Sequence, residues 1–378
     1  MDSDKILIVH IAECAGGVER YIRSLLEKMD KKKFQHILLC SDSFKNKDFN
    51  GLLEKFIIIK HMHNCLSFND IKAIIEVRHW LQQLKPDIVY CHSSKAGGIG
   101  RLANLGLGYK VLYNPHGWAF NIPYGLKPRF YAIIERLLAK FTYKIITISY
   151  FEKINALDKH ICKAKKMQVI ISGIDNTELI KKANTGNITR QSLGIPQNAY
   201  LIGSSARLCE TKAQDIMIKA AAKIKKEIPE AFFIMIGDGE KRKEIETLAK
   251  TLNIEDSLII TGWVDNPLPY EKLLDQGWLL SRWEGFGLAL TEYMLLKKPI
   301  IATNVCAIPE IIINRENGIL VEMDNINEIV NSSIEIYKDQ ALRNNIVENS
   351  YKRVQILYDI NRVALEHELL IEKICSKK

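Results

Sequence analysis

The sequence predicts an α/β protein with two domains in succession, each built on a parallel sheet covered by helices. Short β-branched runs alternate with amphipathic stretches along the 378 residues, and this alternation is typical of parallel sheets. The alternation occurs twice. The chain length also favours two domains of about 150–200 residues over a single core.

Five candidate strands occur in each half. In the first half they lie at residues 5–10, 35–39, 88–91, 110–114 and 145–148. In the second half they lie at residues 200–204, 232–236, 258–260, 278–280 and 300–302. Helical patterns occur between them, for example at 17–29, 71–84, 213–227, 241–252 and 292–297.

The predicted domain boundary lies in the polar segment 179–197, which contains Gly and Pro. It gives an N-terminal domain at 1–180 and a C-terminal domain at 181–354. Residues 341–374 have long helical periodicity, and one hypothesis is that the C-terminal helix at 355–378 packs back on the first domain.

The composition is that of a globular protein, with 47% apolar and 26% charged residues. No apolar run approaches the ~18–20 residues that span a bilayer, and the acidic start of the chain is unlike a secretory signal. Eight scattered cysteines without a C-x-x-C pair argue against zinc sites and disulfides, and they favour a cytoplasmic location.

Positive charge is concentrated in the first half of the chain. Residues 1–180 hold 27 Lys and Arg against 17 Asp and Glu, a net charge of +10, and the remainder has a net charge of −1. This imbalance is typical of a domain with an anionic partner, although a solvated lysine-rich surface would look the same. Because no nucleic-acid-binding module is recognisable, nucleic acid is not an expected partner.

Unusual residues follow the predicted strands, where ligands bind in doubly wound sheets. They lie in the six segments ECAGGVERY, HSSKAGG, PHGW, ARLCETK, GDGE and EGFG. Gly16 and Gly17 in the first segment precede a helix, so backbone N–H groups there can approach an anion. A tight turn or a helix cap is the structural alternative.

Two further segments of the first half carry candidate ligand-binding side chains. His116 follows a strand in PHGW, where a neutral imidazole can hydrogen-bond a sugar hydroxyl or a phosphate. His92 follows another strand, and a structural role there is as plausible as a functional one. Ser93, Ser94 and Lys95 come next and form a loop able to present hydrogen-bond donors.

In the second half, Arg207 and Lys212 lie in one loop after a strand, suited to binding a diphosphate unless they are ordinary surface residues. The stretch SRWEGFGLALTE, residues 281–292, places Glu284 and Glu292 on either side of a Gly-Phe-Gly turn. Each carboxylate can accept hydrogen bonds from sugar hydroxyls, worth about 1.5–3 kcal/mol apiece. The alternative is that both glutamates face solvent.

The segment EGFGLALTE resembles the E-x7-E signature of the retaining glycosyltransferases of family 4. Further similar pieces occur in the family's order over nearly the whole chain: GGVE, HSSKAG, HG, SGID, ARLCETK, IGDGE and IPE. The family has the GT-B fold, in which two Rossmann-like domains face each other across a cleft. HSSKAG is especially similar to members that build bacterial capsule or exopolysaccharide.

The resemblance implies that the C-terminal domain binds a nucleotide-sugar and the N-terminal domain binds the acceptor. Glu292 would bind the ribose and Glu284 the donor sugar, while Arg207 and Lys212 would neutralise the leaving diphosphate. His116 would contact the donor sugar near the reacting carbon. The implied catalytic set is therefore His116, Glu284, Arg207 and Lys212.

The resemblance also assigns backbone groups and co-substrates. The implied donor-binding positions besides the charged residues are Gly16, Gly17, Gly285, Phe286, Gly287 and Leu288. The acceptor-side candidates are His92, Ser93, Ser94 and Lys95. No metal and no cofactor are expected beyond the nucleotide-sugar co-substrate, for which a UDP-sugar is favoured.

The chain departs from the family pattern mainly by losing glycines. The usual N-G-x-D is S-G-I-D at 172–175, the usual G-R-L is A-R-L at 206–208, and the usual K-G is K-A at 212–213. The segment N-V-C-A at 304–307 replaces a glycine-richer turn. The charges are retained, so the departures bear on loop geometry more than on activity.

Residues 121–144 mix basic and aromatic side chains, a composition typical of a helix at an anionic interface. An ordinary helix covering the sheet is the alternative. With the charge of the first half, this segment suggests peripheral attachment at the inner face of the plasma membrane. The hypothesis includes a polyprenyl-diphosphate-linked sugar as the acceptor.

Two other functions are compatible with a GT-B chain of this length. A sugar-nucleotide epimerase would act on the donor alone and would have no use for the E-x7-E arrangement. A non-catalytic partner subunit of a transferase would be expected to lack the charged clamp, which is present at Arg207, Lys212, Glu284 and Glu292. The predicted function is therefore sugar transfer to a sugar acceptor in cell-surface polysaccharide synthesis.

Overall fold

The protein forms two compact α/β units in a computed structural model that describes residues 4–63, 67–121 and 127–376. The first unit comprises Met1–Gly173 and Ile360–Lys378, and the second comprises Ile174–Asp359. Every strand pairing within each sheet is parallel. The predicted fold class, two parallel sheets of similar architecture, is therefore confirmed.

The first unit contains a seven-stranded sheet in the order β3-β2-β1-β4-β5-β6-β7. Its strands are β1 (Ile6–Ala12), β2 (Phe34–Cys40), β3 (Lys55–Ile58), β4 (Ile88–His92), β5 (Lys110–Asn114), β6 (Lys144–Thr147) and β7 (Met167–Val169). The helices among them are α1 (Gly17–Lys28), α2 (Asn69–Leu84), α3 (Ser94–Ala103), α4 (Lys127–Leu138) and α5 (Tyr150–Asp158). The central strands are buried on both faces because separate apolar clusters pack on the two sides of the sheet.

The second unit contains a six-stranded sheet in the order β10-β9-β8-β11-β12-β13. Its strands are β8 (Tyr200–Ser205), β9 (Ala231–Ile236), β10 (Leu258–Ile260), β11 (Gln276–Leu279), β12 (Ile300–Thr303) and β13 (Ile319–Val321). Its helices are α6 (Asn176–Ala183), α7 (Gln214–Glu227), α8 (Arg242–Thr251), α9 (Leu268–Glu271), α10 (Leu288–Leu295), α11 (Ile308–Ile311), α12 (Ile326–Lys338) and α13 (Gln340–Leu357). The strand order reverses between β8 and β11, so the loops that follow these two neighbouring strands lie where ligands bind in this type of sheet.

The last helix, α14 (Ile360–Cys375), belongs to the first unit. Its apolar side packs in the same cluster as α1. Its polar side accepts hydrogen bonds from the backbone N–H of Asp30 to Glu368 at 2.6 Å and from Lys33 Nζ to Glu372 at 2.8 Å. These contacts attach the C-terminal helix to the start of the chain.

The chain passes between the units earlier than residue 180, where the sequence places the boundary. Helix α6 lies in the second unit. Side chains from the two segments that flank α9 hold it there. The Asn266 amide donates to the Lys182 carbonyl at 2.9 Å, and Lys272 Nζ donates to Asn184 Oδ1 at 2.6 Å. These polar contacts explain why the segment starting at Ile174 is part of the second unit.

Among the described residues, no helix is both long enough and apolar enough to cross a membrane.

Candidate active site

A lysine and a glutamate are paired at the end of the second sheet. Lys212 lies in the turn after β8, and Glu284 follows the neighbouring strand β11. The Lys212 ammonium contacts Glu284 Oε2, and the Ser281 hydroxyl donates to the same oxygen at 3.3 Å. The two side chains are only 22% and 12% exposed, so this ion pair is partly shielded from water.

Arg282 fixes the two loops that carry this pair. Its backbone N–H donates to the Thr211 carbonyl at 2.8 Å, and its guanidinium donates to the Glu210 carbonyl at 2.9 Å. The same guanidinium binds the Asp324 carboxylate, and it donates to both carboxylate oxygens of Asp215 at 3.0 Å. Burial disfavours its charge, but these carboxylates outweigh burial and raise the pKa of Arg282. The turn before Lys212 is therefore held against the strand end that carries Glu284.

The Gly-Phe-Gly turn leads directly into α10, which begins at Leu288, four residues before the helical pattern that the sequence shows at 292–297. Gly287 caps the helix with φ 94°, and a Cβ at this position would lie 3.2 Å from Leu279 and Leu290 side-chain atoms. Both the backbone conformation and the space therefore favour glycine. Phe286 is buried, with its ring edge against Tyr358 at 5.7 Å between centroids.

The residues beside the turn differ in how far they are exposed to solvent. Gly285 is buried, whereas Leu288, the first residue of α10, is partly exposed. Glu292 lies in the second turn of α10 and is 3% exposed. The sequence-based alternative in which both glutamates simply face solvent is therefore wrong: Glu284 is paired with Lys212, and Glu292 is buried.

Arg207 lies in the same loop as Lys212 but does not join the pair. Its side chain is 70% exposed and forms an ion pair with Glu240 at 3.0 Å. The carbonyl of Arg207 accepts a hydrogen bond from Gln214 at 2.9 Å, which ties its backbone to the start of α7. The described contacts thus bring Lys212 and Glu284 together and leave Arg207 at the surface.

Two of the glycine losses fall where the backbone has positive φ. Ala213, at the position of the usual K-G glycine, has φ 52°, and Cys306 in the N-V-C-A segment also has φ 52°. L-residues adopt this region at a cost of roughly 1–2 kcal/mol. The loops therefore keep the shape that a glycine would take more easily. Burial raises the pKa of the Cys306 thiol, and the Glu284 carboxylate raises it further.

In the first unit, Gly16 and Gly17 form the start of α1. Gly16 caps the helix with φ 96°, and its N–H lies 3.5 Å from Glu19 Oε2. A Cβ at either glycine would meet no atom within 4 Å. The space beside these backbone groups is therefore open, which suits the approach of a ligand as well as a turn.

His116 follows β5 in a strained conformation. Its φ is 50°, and its backbone N–H donates to Asn114 Oδ1 at 3.0 Å. Its Nε2 lies 3.1 Å from His92 Nδ1, and the Tyr21 ring packs edge-on at 4.6 Å between centroids. Burial lowers the pKa of His116 to about 3, so its imidazole is neutral at pH 7.

Three of the four acceptor-side candidates have side-chain partners in the protein, and His92 is bonded to His116 at 3.1 Å. His92 has no exposed surface, which argues against direct contact with an acceptor. The Ser93 hydroxyl donates to the Glu13 carboxylate, and the Lys95 ammonium binds Asp70 at 2.9 Å. The fourth candidate, Ser94, has a buried hydroxyl without a hydrogen-bond partner among the described residues. The structure thus gives this loop a role in holding the start of α3, and its role in acceptor binding stays a prediction.

Several residues that shape these sites are not identified by the sequence analysis. Glu13 directly follows β1, is 8% exposed, and has a pKa raised by burial despite its hydrogen bond from Ser93. Its place in ECAGG, at a strand end, was the available signal. Arg282 lies two residues before the EGFG segment, and a basic residue so close to that segment was the available signal. His10 and His36 lie inside strands, and no motif marks them.

Two family models match the chain in succession. The model described as Glycosyltransferase Family 4 matches residues 15–178, and the model described as Glycosyl transferases group 1 matches residues 187–353. A Klebsiella pneumoniae protein, described as an uncharacterized 41.2 kDa protein in the cps region, is 30% identical over 338 residues, covering 85% of this chain and 88% of its own. The chain therefore belongs to the family 4 glycosyltransferases.

Two further proteins are similar over nearly the whole length. An Escherichia coli protein named UDP-Gal:alpha-D-GlcNAc-diphosphoundecaprenol alpha-1,3-galactosyltransferase is 27% identical over 371 residues, covering 94% of this chain and 96% of its own. The crystal structure of Anabaena HepE in complex with UDP has a TM-score of 0.82 at 19% identity, covering 98% of this chain and all (100%) of HepE. The protein is a glycosyltransferase with the GT-B fold, and the epimerase and non-catalytic alternatives are not favoured.

Proposed function

We propose that the protein transfers a sugar from a UDP-sugar to a lipid-linked sugar acceptor during cell-surface polysaccharide synthesis. The observation that carries the proposal is the shielded Lys212–Glu284 pair between neighbouring strand ends. The donor class is supported by the name of the Escherichia coli relative and by the UDP complex of HepE. The acceptor class is supported by the diphosphoundecaprenol in that same name.

The charges of the second unit suit the two ends of a nucleotide-sugar. The Lys212 ammonium would neutralise the departing diphosphate, with Arg207 as a second cation reached from the same loop. Glu284 would accept hydrogen bonds from the donor sugar, and Glu292 would accept them from the ribose. The N–H groups of Phe286 and Leu288, with those of Gly16 and Gly17, would add uncharged donors.

The proposed reaction proceeds with retention and without a metal ion. The bond from the anomeric carbon to the phosphate oxygen breaks, and a bond to the acceptor hydroxyl oxygen forms on the same face. The hydroxyl proton passes to the leaving phosphate, so UDP carries away both the charge and the proton. His116 would contact the donor sugar near the reacting carbon, as a neutral imidazole. Side-chain cations would take the role that a divalent ion has in other transferases.

Replacing Lys212 by Ala tests the cation. Losing one preorganised donor to developing charge lowers turnover by about 10²–10³-fold, while the fold should survive because the lysine is at a loop. Lys219→Ala is the matched control, since Lys219 is an exposed lysine on α7 paired with Asp215. UDP release from UDP-sugar is measured with a polyprenyl-diphosphate-linked sugar. Equal activity of the two variants would contradict the proposal.

Three measurements separate the finer parts of the proposal. A thermal-shift panel of nucleotides and nucleotide-sugars identifies the base, since a ligand at 100 times its Kd stabilises by about 2.7 kcal/mol. NMR of the product's anomeric proton decides between retention and inversion. Activity in excess EDTA tests metal independence, and a loss restored by Mg²⁺ or Mn²⁺ would contradict it.

We further propose that α4 attaches the protein peripherally to an anionic membrane on its cytoplasmic face. Phe130, Ile133 and Leu137 are 59%, 52% and 53% exposed on this helix. Their spacing places them on one face, and the exposed basic residues beside them are Lys127, Arg129, Arg136 and Lys140. Of the segment 121–144 named from the sequence, residues 122–126 lie outside the described part of the chain.

Liposome co-sedimentation tests the attachment. Vesicles with anionic lipid should bind the protein at low salt, and substituting Phe130, Ile133 and Leu137 together by Ser should abolish binding. Trp263→Ser is the matched control, because Trp263 is a 75% exposed aromatic residue on the second unit. Binding that is unchanged by the triple substitution would place the membrane contact elsewhere.

A further inference from the structure

Four histidines form a continuous hydrogen-bonded line that ends at His116. His36 Nδ1 lies 3.1 Å from His10 Nε2, His10 Nδ1 lies 3.0 Å from His92 Nε2, and His92 Nδ1 lies 3.1 Å from His116 Nε2. The first three rings are 3%, 0% and 0% exposed. We call these four residues the histidine line. None of them except His116 has a place in the proposed reaction.

The strand register explains why the line is continuous. His36 on β2 lies opposite Ile8, which is two residues before His10 on β1. The same offset of two residues leads from His10 to His92 on β4, and from His92 to His116 after β5. Residues two apart share one face of a sheet. Each step therefore crosses to the next strand and moves toward the carboxyl edge, where ligands bind.

The four rings are held neutral. Burial is the main cause that lowers the pKa of each member of the line, to about 3 at His36 and His116 and well below the ordinary value at His10 and His92. A neutral imidazole has one donor and one acceptor nitrogen. Since each link joins Nδ1 of one ring to Nε2 of the next, all four rings must share one tautomer.

The buried end of the line selects which tautomer this is. His36 Nε2 is buried and has no hydrogen-bond partner among the described residues. With every Nε2 protonated, this atom would be a buried N–H without an acceptor, which is a rarer defect in proteins than a buried acceptor without a donor. With every Nδ1 protonated, His36 Nε2 is only an unused lone pair. The second arrangement is favoured.

We propose that His36, His10 and His92 are positioning residues that hold His116 in its Nδ1–H tautomer. His116 then presents a hydrogen-bond donor from Nδ1, because its Nε2 accepts from His92. The assignment of this donor to a sugar hydroxyl rests on the proposed function. The tautomer itself does not, since it follows from the contacts within the first unit.

The neighbouring polar rings do not compete for the line. The hydroxyls of Tyr21 and Tyr90 both lie near His367 Nε2, at 3.2 and 2.9 Å. His367 Nδ1 donates to the Val363 carbonyl at 2.7 Å, so its Nε2 is the acceptor. The Tyr90 ring covers His92 at 4.1 Å between centroids. His367 is thus a buried histidine of the same unit that is outside the line, which makes it a matched control.

Nitrogen-15 NMR of the full chain, labelled in its histidine rings, tests the tautomers without substrate. Long-range correlations distinguish protonated from unprotonated ring nitrogens, and a His116→Gln variant assigns the His116 signals. The expected result is protonated Nδ1 and unprotonated Nε2 at all four residues, with a scalar coupling across the link from His92 to His116. Protonated Nε2 at His116, or averaged signals, would overturn the proposal.

Two near-isosteric variants test whether the line acts as a unit. In His36→Asn the amide can still donate to His10, so His116 should keep its Nδ1–H tautomer. In His36→Asp an ionised carboxylate can only accept, so His10, His92 and His116 should reverse together, and transfer should slow about tenfold, the effect of one hydrogen bond, with little change in KM. Reversal of His10 without His116 in either variant would overturn the proposal.

The control variant His367→Gln should leave all four tautomers unchanged. If His36→Asp does not fold, the wild-type and His36→Asn spectra decide the question alone. An absence of transferase activity would count against the proposed function and would leave the tautomer measurement intact.

Discussion

Lowering the pH from 7.0 to 5.5 should destabilise the first unit and spare the second. All nine histidines of the chain lie within Met1–Gly173 and Ile360–Lys378, and Ile174–Asp359 contains none. Four of them, His10, His36, His92 and His367, are at most 3% exposed. The two units therefore form an internal comparison within one molecule.

The magnitude follows from the shifted pKa values. Burial lowers the pKa of His36 to about 3 and that of His367 to about 4, and it lowers those of His10 and His92 well below the ordinary value. The unfolded chain, with pKa values of about 6.5, therefore takes up protons first as the pH falls. This costs about 1.2 kcal/mol per histidine between pH 7.0 and 5.5, or about 5 kcal/mol for these four. His116, whose pKa burial also lowers to about 3, brings the total to about 6 kcal/mol.

The first unit has its full stability above about pH 6.5, the pKa of histidine in the unfolded chain. Its stability falls as the pH is lowered from there toward the folded-state pKa values. Glu13 acts in the opposite direction, because burial raises its pKa, but it is a single group. A loss of about 5–6 kcal/mol is comparable with the whole stability of a typical domain, which is about 5–15 kcal/mol.

Hydrogen exchange read by mass spectrometry can follow the two units separately, which a single melting temperature cannot do. Peptides from β1 and β4 report on the first unit, and peptides from β8 and β9 report on the second. After correction for the intrinsic pH dependence of exchange, the free energy of opening should fall by about 5–6 kcal/mol for β1 and β4 and should not fall for β8 and β9. In His36→Asn the loss should shrink by about 1.2 kcal/mol, because one histidine with a lowered pKa has been removed.

The result that refutes this reasoning is an equal change in both units. If β1 and β4 lose no more protection than β8 and β9, the buried histidines do not resist protonation in the folded state, and their neutrality in the histidine line is wrong as well.

The remaining predictions concern packing and charge in the second unit. Arg282→Gln removes the guanidinium from its carboxylate partners and should destabilise the unit by about 2–3 kcal/mol, measured by urea denaturation, with weaker UDP binding by calorimetry; unchanged stability would show that the turns are held by other contacts. Gly237→Ala should cost more than about 3 kcal/mol, because the added Cβ would lie 2.2 Å from the Ala206 carbonyl oxygen. Its control is Gly194→Ala in the same unit, where φ is also positive but no atom lies within 4 Å of the added Cβ, so a smaller loss in the same denaturation assay is expected.

Most strands of the two sheets could be predicted because they are strong apolar runs. All ten predicted strands are present, because central strands of a parallel sheet are buried on both faces and need continuous apolar residues. The strands that were missed are β3, β7 and β13, each of three or four residues at or near an edge of its sheet. The run from Phe56 to Ile58 in β3 is as apolar as that of a central strand, so its omission is not explained by a weak pattern; in the fold it is an edge strand in which no residue is fully buried.

The candidate site was predictable to the extent that strand ends determine it. Lys212 and Glu284 are far apart in sequence, yet the rule that parallel strands end at one edge places them together. The rule does not say which way a loop side chain points, so it could not separate the paired Lys212 from the exposed Arg207. The bridging role of Arg282 depends on loops that meet only in the folded unit.

The histidine line shows a second limit. His10 and His36 are isolated polar residues inside apolar runs, and each alone is indistinguishable from a buried structural histidine. Their common face appears only when the register of neighbouring strands is known. His92, for which a structural and a functional role were equally open, has a structural position and a proposed effect on the site through His116.

The pairing of Lys212 with Glu284 has a consequence for which ligands bind. An unpaired charge at a shielded position is costly, so each of these side chains offsets the charge of the other when no ligand is present. Under the proposed function a nucleotide-sugar separates the two side chains. Its diphosphate then pairs with the Lys212 ammonium, and its sugar hydroxyls donate hydrogen bonds to the Glu284 carboxylate. A nucleoside diphosphate alone would leave Glu284 without its cation, and a free sugar would leave the pair intact and compete with it. Both should therefore bind less well than the complete donor, because only a ligand with both groups replaces the interaction that it breaks.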